Sequence, residues 1–154
     1  MSSNVTLRVT ETSFQASSPI AQLEPSNDSA AGFGDLIERV ELFEVIVNSF
    51  PGGISVFDKD LKMVLCNDQA KRLLDYPDEL FVDGLPTLED IFRCNAERGE
   101  YGTGDVEQQV RHRMDLARKT TAHQYQRERP DGTIIEVRGV PLKGGGFVTM
   151  HLDI

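Results

Sequence analysis

Gly53-Ile54-Ser55-Val56-Phe57-Asp58-Lys59-Asp60-Leu61-Lys62-Met63-Val64-Leu65-Cys66-Asn67 is the stretch on which the fold turns. Two short apolar runs, 54–57 and 61–66, flank the polar triplet Asp58-Lys59-Asp60, the pattern of two strands joined by a tight turn. Pro51-Gly52-Gly53 breaks whatever precedes them. Asn67 suits an N-cap, with Ala70, Leu73 and Leu74 on one face of a short helix that Pro77 stops. Thr87 opens a second helix, whose Leu88, Ile91, Phe92 and Ala96 face inward and whose end is marked by Gly99. Asp105 followed by Gln108 has the form of a capping box, and Val106, Val110, Met114 and Ala117 give that third helix its apolar stripe.

The chain then turns to β-structure: residues 122–129, an Asp131-Gly132 turn expected to hold positive φ at both positions, residues 133–140, a Gly144-Gly145-Gly146 break, and residues 147–153. Two strands, three helices and three antiparallel strands describe an α+β domain with its helices on one face of the sheet. Upstream, Asp35 reads as an N-cap, and Leu36, Val40, Phe43, Val47 and Phe50 recur at spacings of 4, 3, 4 and 3, one stripe of a helix over 35–50. That stripe is either docked on its own domain or a seam between two copies, and two heptads need further contacts to hold a dimer. Residues 1–34, with 10 Ser or Thr and no sustained period, read as a disordered tail.

Composition narrows the function. At 154 residues the chain fits one domain, and a net charge of −9 argues against a phosphate-neutralising nucleic-acid binder. No signal sequence or apolar run long enough to span a bilayer is present, and Cys66 and Cys94 stand apart without ligand or disulfide spacing, so the expected location is the cytoplasm.

Gly53-Ile54-Ser55-Val56-Phe57-Asp58, Asn67 after the second strand, Arg129-Pro130-Asp131-Gly132-Thr133, Gly144-Gly145-Gly146-Phe147-Val148-Thr149 and the closing Asp153-Ile154 together resemble a PAS domain of the subgroup found in bacterial sensory proteins. The resemblance spans residues 40–154. It implies a five-stranded antiparallel sheet cupped around a small pocket, a preceding helix that often dimerises, and output through the C-terminal strand. Asp153-Ile154 match the first two residues of the Asp-Ile-Thr junction that leads into a signalling helix, so the chain is expected to be either a piece of a longer sensor or a stand-alone PAS protein.

The resemblance makes this a non-enzymatic signalling module that dimerises and regulates a histidine kinase, a cyclic-nucleotide enzyme or a similar partner. A second reading is a small-molecule sensor, with pocket candidates Val64, Cys66, Ile91, Phe92, Met114, Tyr125 and Ile135. The bland alternative is that these side chains simply fill the core. A third reading, an enzyme of a cone-shaped α+β fold, would draw on Tyr76, Tyr101 and Tyr125 with nearby carboxylates, but no motif sets nucleophile, base and orienter together. No catalytic residue, metal ligand or cofactor is expected. His112 lies where some PAS domains ligate haem, yet it shares no ligand spacing with His123 or His151, and Arg93-Cys94-Asn95-Ala96 departs from the flavin-reactive cysteine motif.

Overall fold

The structure, a computed structural model, describes residues 29–154. Helix α1 (Ser29–Ser49) forms a unit apart from the α+β domain that follows it. It starts six residues before the expected cap, so residues 29–34 are helix rather than tail; the rest of the expected tail, 1–28, lies outside the described residues. Gly32 and Gly34 each cost about 1 kcal/mol in a helix interior, a local penalty that the rest of the helix outweighs. Asp35 sits inside the helix, and its carboxylate meets Arg39 one turn on, at 3.4 Å, instead of capping backbone N–H groups.

The domain runs β1 (Gly53–Phe57), β2 (Met63–Cys66), α2 (Asp68–Leu73), a 3₁₀ turn (Asp78–Phe81), α3 (Leu88–Glu97), α4 (Val106–Arg118), β3 (His123–Glu128), β4 (Ile134–Pro141) and β5 (Phe147–Asp153). The strands form one antiparallel sheet in the order β2-β1-β5-β4-β3, so the last strand lies at its centre.

Asn67 joins the first hairpin to the helices. Its Oδ1 accepts from Ala70 N–H, capping α2 at 2.8 Å, and from Ile54 N–H on β1 at 2.9 Å, while its Nδ2 donates to the Gly52 carbonyl. Gly53 is required there because a Cβ would lie 2.7 Å from Ala70 Cα, where α2 crosses β1. Thr87 and Asp90 form a reciprocal capping box at α3. At α4 only one leg of the expected box exists, Asp105 Oδ1 accepting from Gln108 N–H.

The second hairpin differs from the expected two-residue turn. Arg129 N–H donates to Thr133 O and Gly132 N–H to Arg129 O, so the loop has three residues, and of Asp131 and Gly132 only Gly132 has positive φ, at 86°. Pro130 presets the first corner and the Asp131 carboxylate accepts from Thr133 N–H at 2.8 Å, the pattern of a type I turn closed by a glycine bulge.

Directly opposed residues share a sheet face, so the register identifies what looks inward. One row reads Cys66, Ser55, Thr149, Gly139, His123 across the five strands; the next reads Gly53, His151, Val137, Tyr125, with Arg127 opposite Ile135 beyond it. The core divides accordingly. Phe57, Met63 and Phe147 pack with Leu88, Ile91, Ala96, Val110 and Met114 from α3 and α4, while Ile135 and Val137 pack with Leu74 at the end of α2.

Candidate functional site

The expected pocket residues separate into two groups. Cys66, Ile91, Phe92 and Met114 belong to the larger apolar cluster, and Tyr125 and Ile135 to the smaller one. Val64 belongs to neither. Val56 pairs with Leu65 but Phe57 with Met63, so Val64 is the extra residue of a bulge and is 53% exposed. His112 is exposed on α4, and Cys94 lines an open groove of about 410 Å³ between the 3₁₀ turn and α3, rimmed by Glu79, Asp83, Asp90 and Glu97. No group of His, Cys, Asp and Glu among the described residues is arranged to hold a metal ion.

Between the two clusters lies a polar interior that strand alternation alone did not expose. The three tyrosines do converge, but on arginines instead of on a nucleophile. The Arg113 guanidinium from α4 lies 3.3 Å above the Tyr101 ring and Arg127 from β3 lies 5.5 Å from it; Asn95 Nδ2 donates to the Tyr101 hydroxyl at 3.2 Å. Burial pushes the Tyr101 phenol up to about 12, and burial likewise raises Tyr76 and Tyr125, so all three stay protonated donors across the physiological range. On β5, burial first and the Arg127 charge second push His151 down to about 3, which keeps the imidazole neutral. Its buried Nδ1 has no hydrogen-bond partner among the described residues.

A single carboxylate organises the cations around it. Glu100, just past α3, is buried and takes ion pairs from Arg127 and from Arg129, the latter at 2.8 Å, with Arg98 at 3.5 Å. Burial works to raise its pKa, but the hydrogen bonds from Arg129 and Arg127 outweigh it and hold it below the usual carboxylate value. Arg129 also donates to the Leu73 and Leu74 carbonyls, and Arg98 to those of Leu74 and Asp75, so the knot closes the C-terminal end of α2. The recoverable signal for these residues was Tyr125, Arg127 and Arg129 at alternate positions: basic residues repeating on a core-facing side have to be paired.

The residues expected at the output strand and along the α1 stripe lie as follows. Asp153 ends β5 opposite Ile135, and Ile154 N–H still donates to Ile134 O, with both side chains exposed. Along α1, Leu36, Val40 and Phe43 are 54%, 50% and 51% exposed, Phe50 is half-buried and Val47 is buried. Phe33, 66% exposed, extends the same stripe by one step because the helix starts early.

An antiparallel sheet with its last strand at the centre, closed on one face by helices inserted between the second and third strands, defines a small α+β domain of the sensory type. The chain belongs to the PAS family, whose model, described as PAS fold, matches residues 47–154. Members of this family are typically sensory and regulatory modules. Similar solved structures include the PAS domain of an HTR-like protein from Haloarcula marismortui, at 18% identity and TM-score 0.50, covering 81% of this chain and 99% of that one. The PAS domain of BvgS from Bordetella pertussis is similar at 20% identity and TM-score 0.50, covering 76% of this chain and 87% of that one. At such identities the likeness is one of fold. No curated protein matches the sequence. Among the described residues no helix is long and apolar enough to cross a membrane.

Proposed function

We propose that this chain is a non-enzymatic, cytoplasmic PAS signalling module that works as a homodimer through α1 and regulates a partner such as a histidine kinase or a cyclic-nucleotide enzyme. The observation behind this reading is the stripe Phe33, Leu36, Val40, Phe43, Val47, Phe50, whose alternating spacings of 3 and 4 are those of a coiled-coil seam and whose first four members lie at least half exposed. Ile37 and Ile46, also exposed, widen it into an apolar face of the kind that another copy covers. β5 supplies the route outward: it touches both β1 and β4, carries His151 on its inner side and ends at Asp153-Ile154.

Phe43→Glu tests the seam better than a change at Val47, since Phe43 is exposed in a single chain and Val47 is not. The expected result is a folded variant that sediments as a monomer where the wild type sediments as a dimer. A wild type that stays monomeric well above micromolar concentration refutes the dimer.

A second reading, that the domain senses a small molecule, is supported by the polar interior, where a neutral His151 with an orphan nitrogen lies within reach of the Arg127 charge. Ligand occupancy there would bias two packings of the helices against the sheet and change what the end of β5 presents.

A further inference from the structure

We propose that the open groove between the 3₁₀ turn and α3 is a docking site for a basic amphipathic helix of a partner protein, whose apolar side chains cover Leu80, Leu85 and Cys94 while its lysines or arginines meet Glu79, Asp83 and Glu97. The inference rests on the partner half of the reading above, to which it gives a surface and a chemistry, and it is independent of dimerisation through α1.

The groove lies outside the packed interior. Leu88, Ile91 and Asn95 carry the buried side of α3, whereas Thr87, Asp90, Cys94 and Glu97, at spacings of 3, 4 and 3, form a second stripe that makes one wall of the groove. The other wall is drawn from the segment between Glu79 and Pro86. Part of that segment leaves apolar surface in water: Leu85 is 47% exposed and Val82, beside the groove in sequence, 76%. Leu80 and Cys94, both half-buried, continue the apolar lining. A concave strip of this kind is what the apolar face of a helix covers in helix-in-groove recognition. From Asp90 to Glu97 the α3 wall runs about 10 Å, enough for about two turns of a docked helix.

Charge selects the occupant. Arg93 is the groove's own cation, and it donates to Glu89 and Glu107, neither of which lines the groove. Asp90 is taken up by the Thr87 N–H and hydroxyl in the α3 capping box. Glu79, Asp83 and Glu97 have no ion pair among the described residues. Carboxylates without counterions around an apolar strip complement long basic side chains, whose stems lie on apolar surface while their charged heads reach the rim. The chain's own apolar segments bring the wrong sign: α1 carries Asp35, Glu38, Glu41 and Glu44 against Arg39, and residues 1–28 carry Glu11, Glu24 and Asp28 against Arg8.

Calorimetric titration of the whole chain with a designed peptide of about 14 residues, four helical turns with Leu at i, i+3, i+4 and i+7 and Lys elsewhere, tests this. The control peptide has the same composition in an order that makes no apolar face. The amphipathic peptide is expected to bind with a micromolar Kd that weakens as salt is raised, at least about tenfold tighter than the control. Leu85→Ser, and separately Glu79→Gln combined with Glu97→Gln, are each expected to weaken it about tenfold with a melting temperature near that of the wild type, because all three side chains are exposed. Equal binding of the two peptides, binding that either variant leaves unchanged, or no binding at millimolar concentration overturns the docking site. Binding lost in Phe43→Glu but kept in Leu85→Ser puts the peptide on α1 and overturns it as well. Self-association of the wild type that Leu85→Ser abolishes and Phe43→Glu does not gives the groove to a second copy and overturns the partner helix. The α1 dimer is judged separately, by sedimentation of Phe43→Glu, and a failed groove leaves partner regulation to α1 and the end of β5.

Discussion

Replacing Glu100 with Gln removes one negative charge from among three guanidiniums and leaves a single amide oxygen where two carboxylate oxygens accepted. Arg129, whose side chain is 8% exposed, and Arg127, at 13%, cannot recover the loss from water. Breaking a buried pair of this kind costs roughly 3 to 5 kcal/mol, because the uncompensated charges remain inside. That is a large share of the roughly 5 to 15 kcal/mol by which a domain of this size is stable. The variant should therefore unfold at a much lower urea midpoint with an unchanged slope, and a loss of about 3 kcal/mol should lower the melting temperature by more than about 5 °C. The same cluster predicts a pH dependence. Hydrogen bonds hold Glu100 below its ordinary value in the folded state, so its contribution is fully present above the unfolded pKa of about 4.3 and is lost as pH falls through the folded value. The stability difference between wild type and Glu100→Gln should be flat near neutrality and shrink on acidification. Arg118→Gln, at the exposed pair with Asp115, should change stability by less than about 0.5 kcal/mol. A Glu100→Gln loss below about 1 kcal/mol, or a difference that grows as pH falls, would refute the reasoning.

Two further changes probe the frame that holds this interior. Asn67→Ala removes the α2 cap and strands the part-buried Ile54 N–H, so urea unfolding should show a loss of about 2 to 4 kcal/mol; a loss under about 1 kcal/mol would mean water replaces the amide. Gly132→Val puts a β-branched residue at φ 86°, where nothing crowds a Cβ, so the cost is purely one of backbone conformation, on the order of 1 kcal/mol or more. An unchanged melting temperature would exclude the glycine bulge.

What the sequence determined by itself is the order of elements, because those signals are local. Asn67, Thr87 and Asp105 each mark a helix start through a side chain that accepts from the backbone three residues on, and Asp131-Gly132 marks a reversal within five residues. The same locality explains the errors: a polar composition without a sustained period hid the first turn of α1, and a bulge between β1 and β2, which depends on how two strands meet, turned Val64 outward. Only the tertiary structure decided the interior. Glu100 stands 27 positions from Arg127 and 29 from Arg129, and Arg113 reaches Tyr101 and His151 reaches the neighbourhood of Arg127 through the packing of α4 on the sheet and the central placement of β5. Long-range pairing of charges leaves almost no periodic trace, since one buried carboxylate can be met from any three elements that happen to close on it. Alternation marks the face an arginine occupies; the meeting of the end of α3, the end of α2 and β3 around Glu100 determines which anion it finds there.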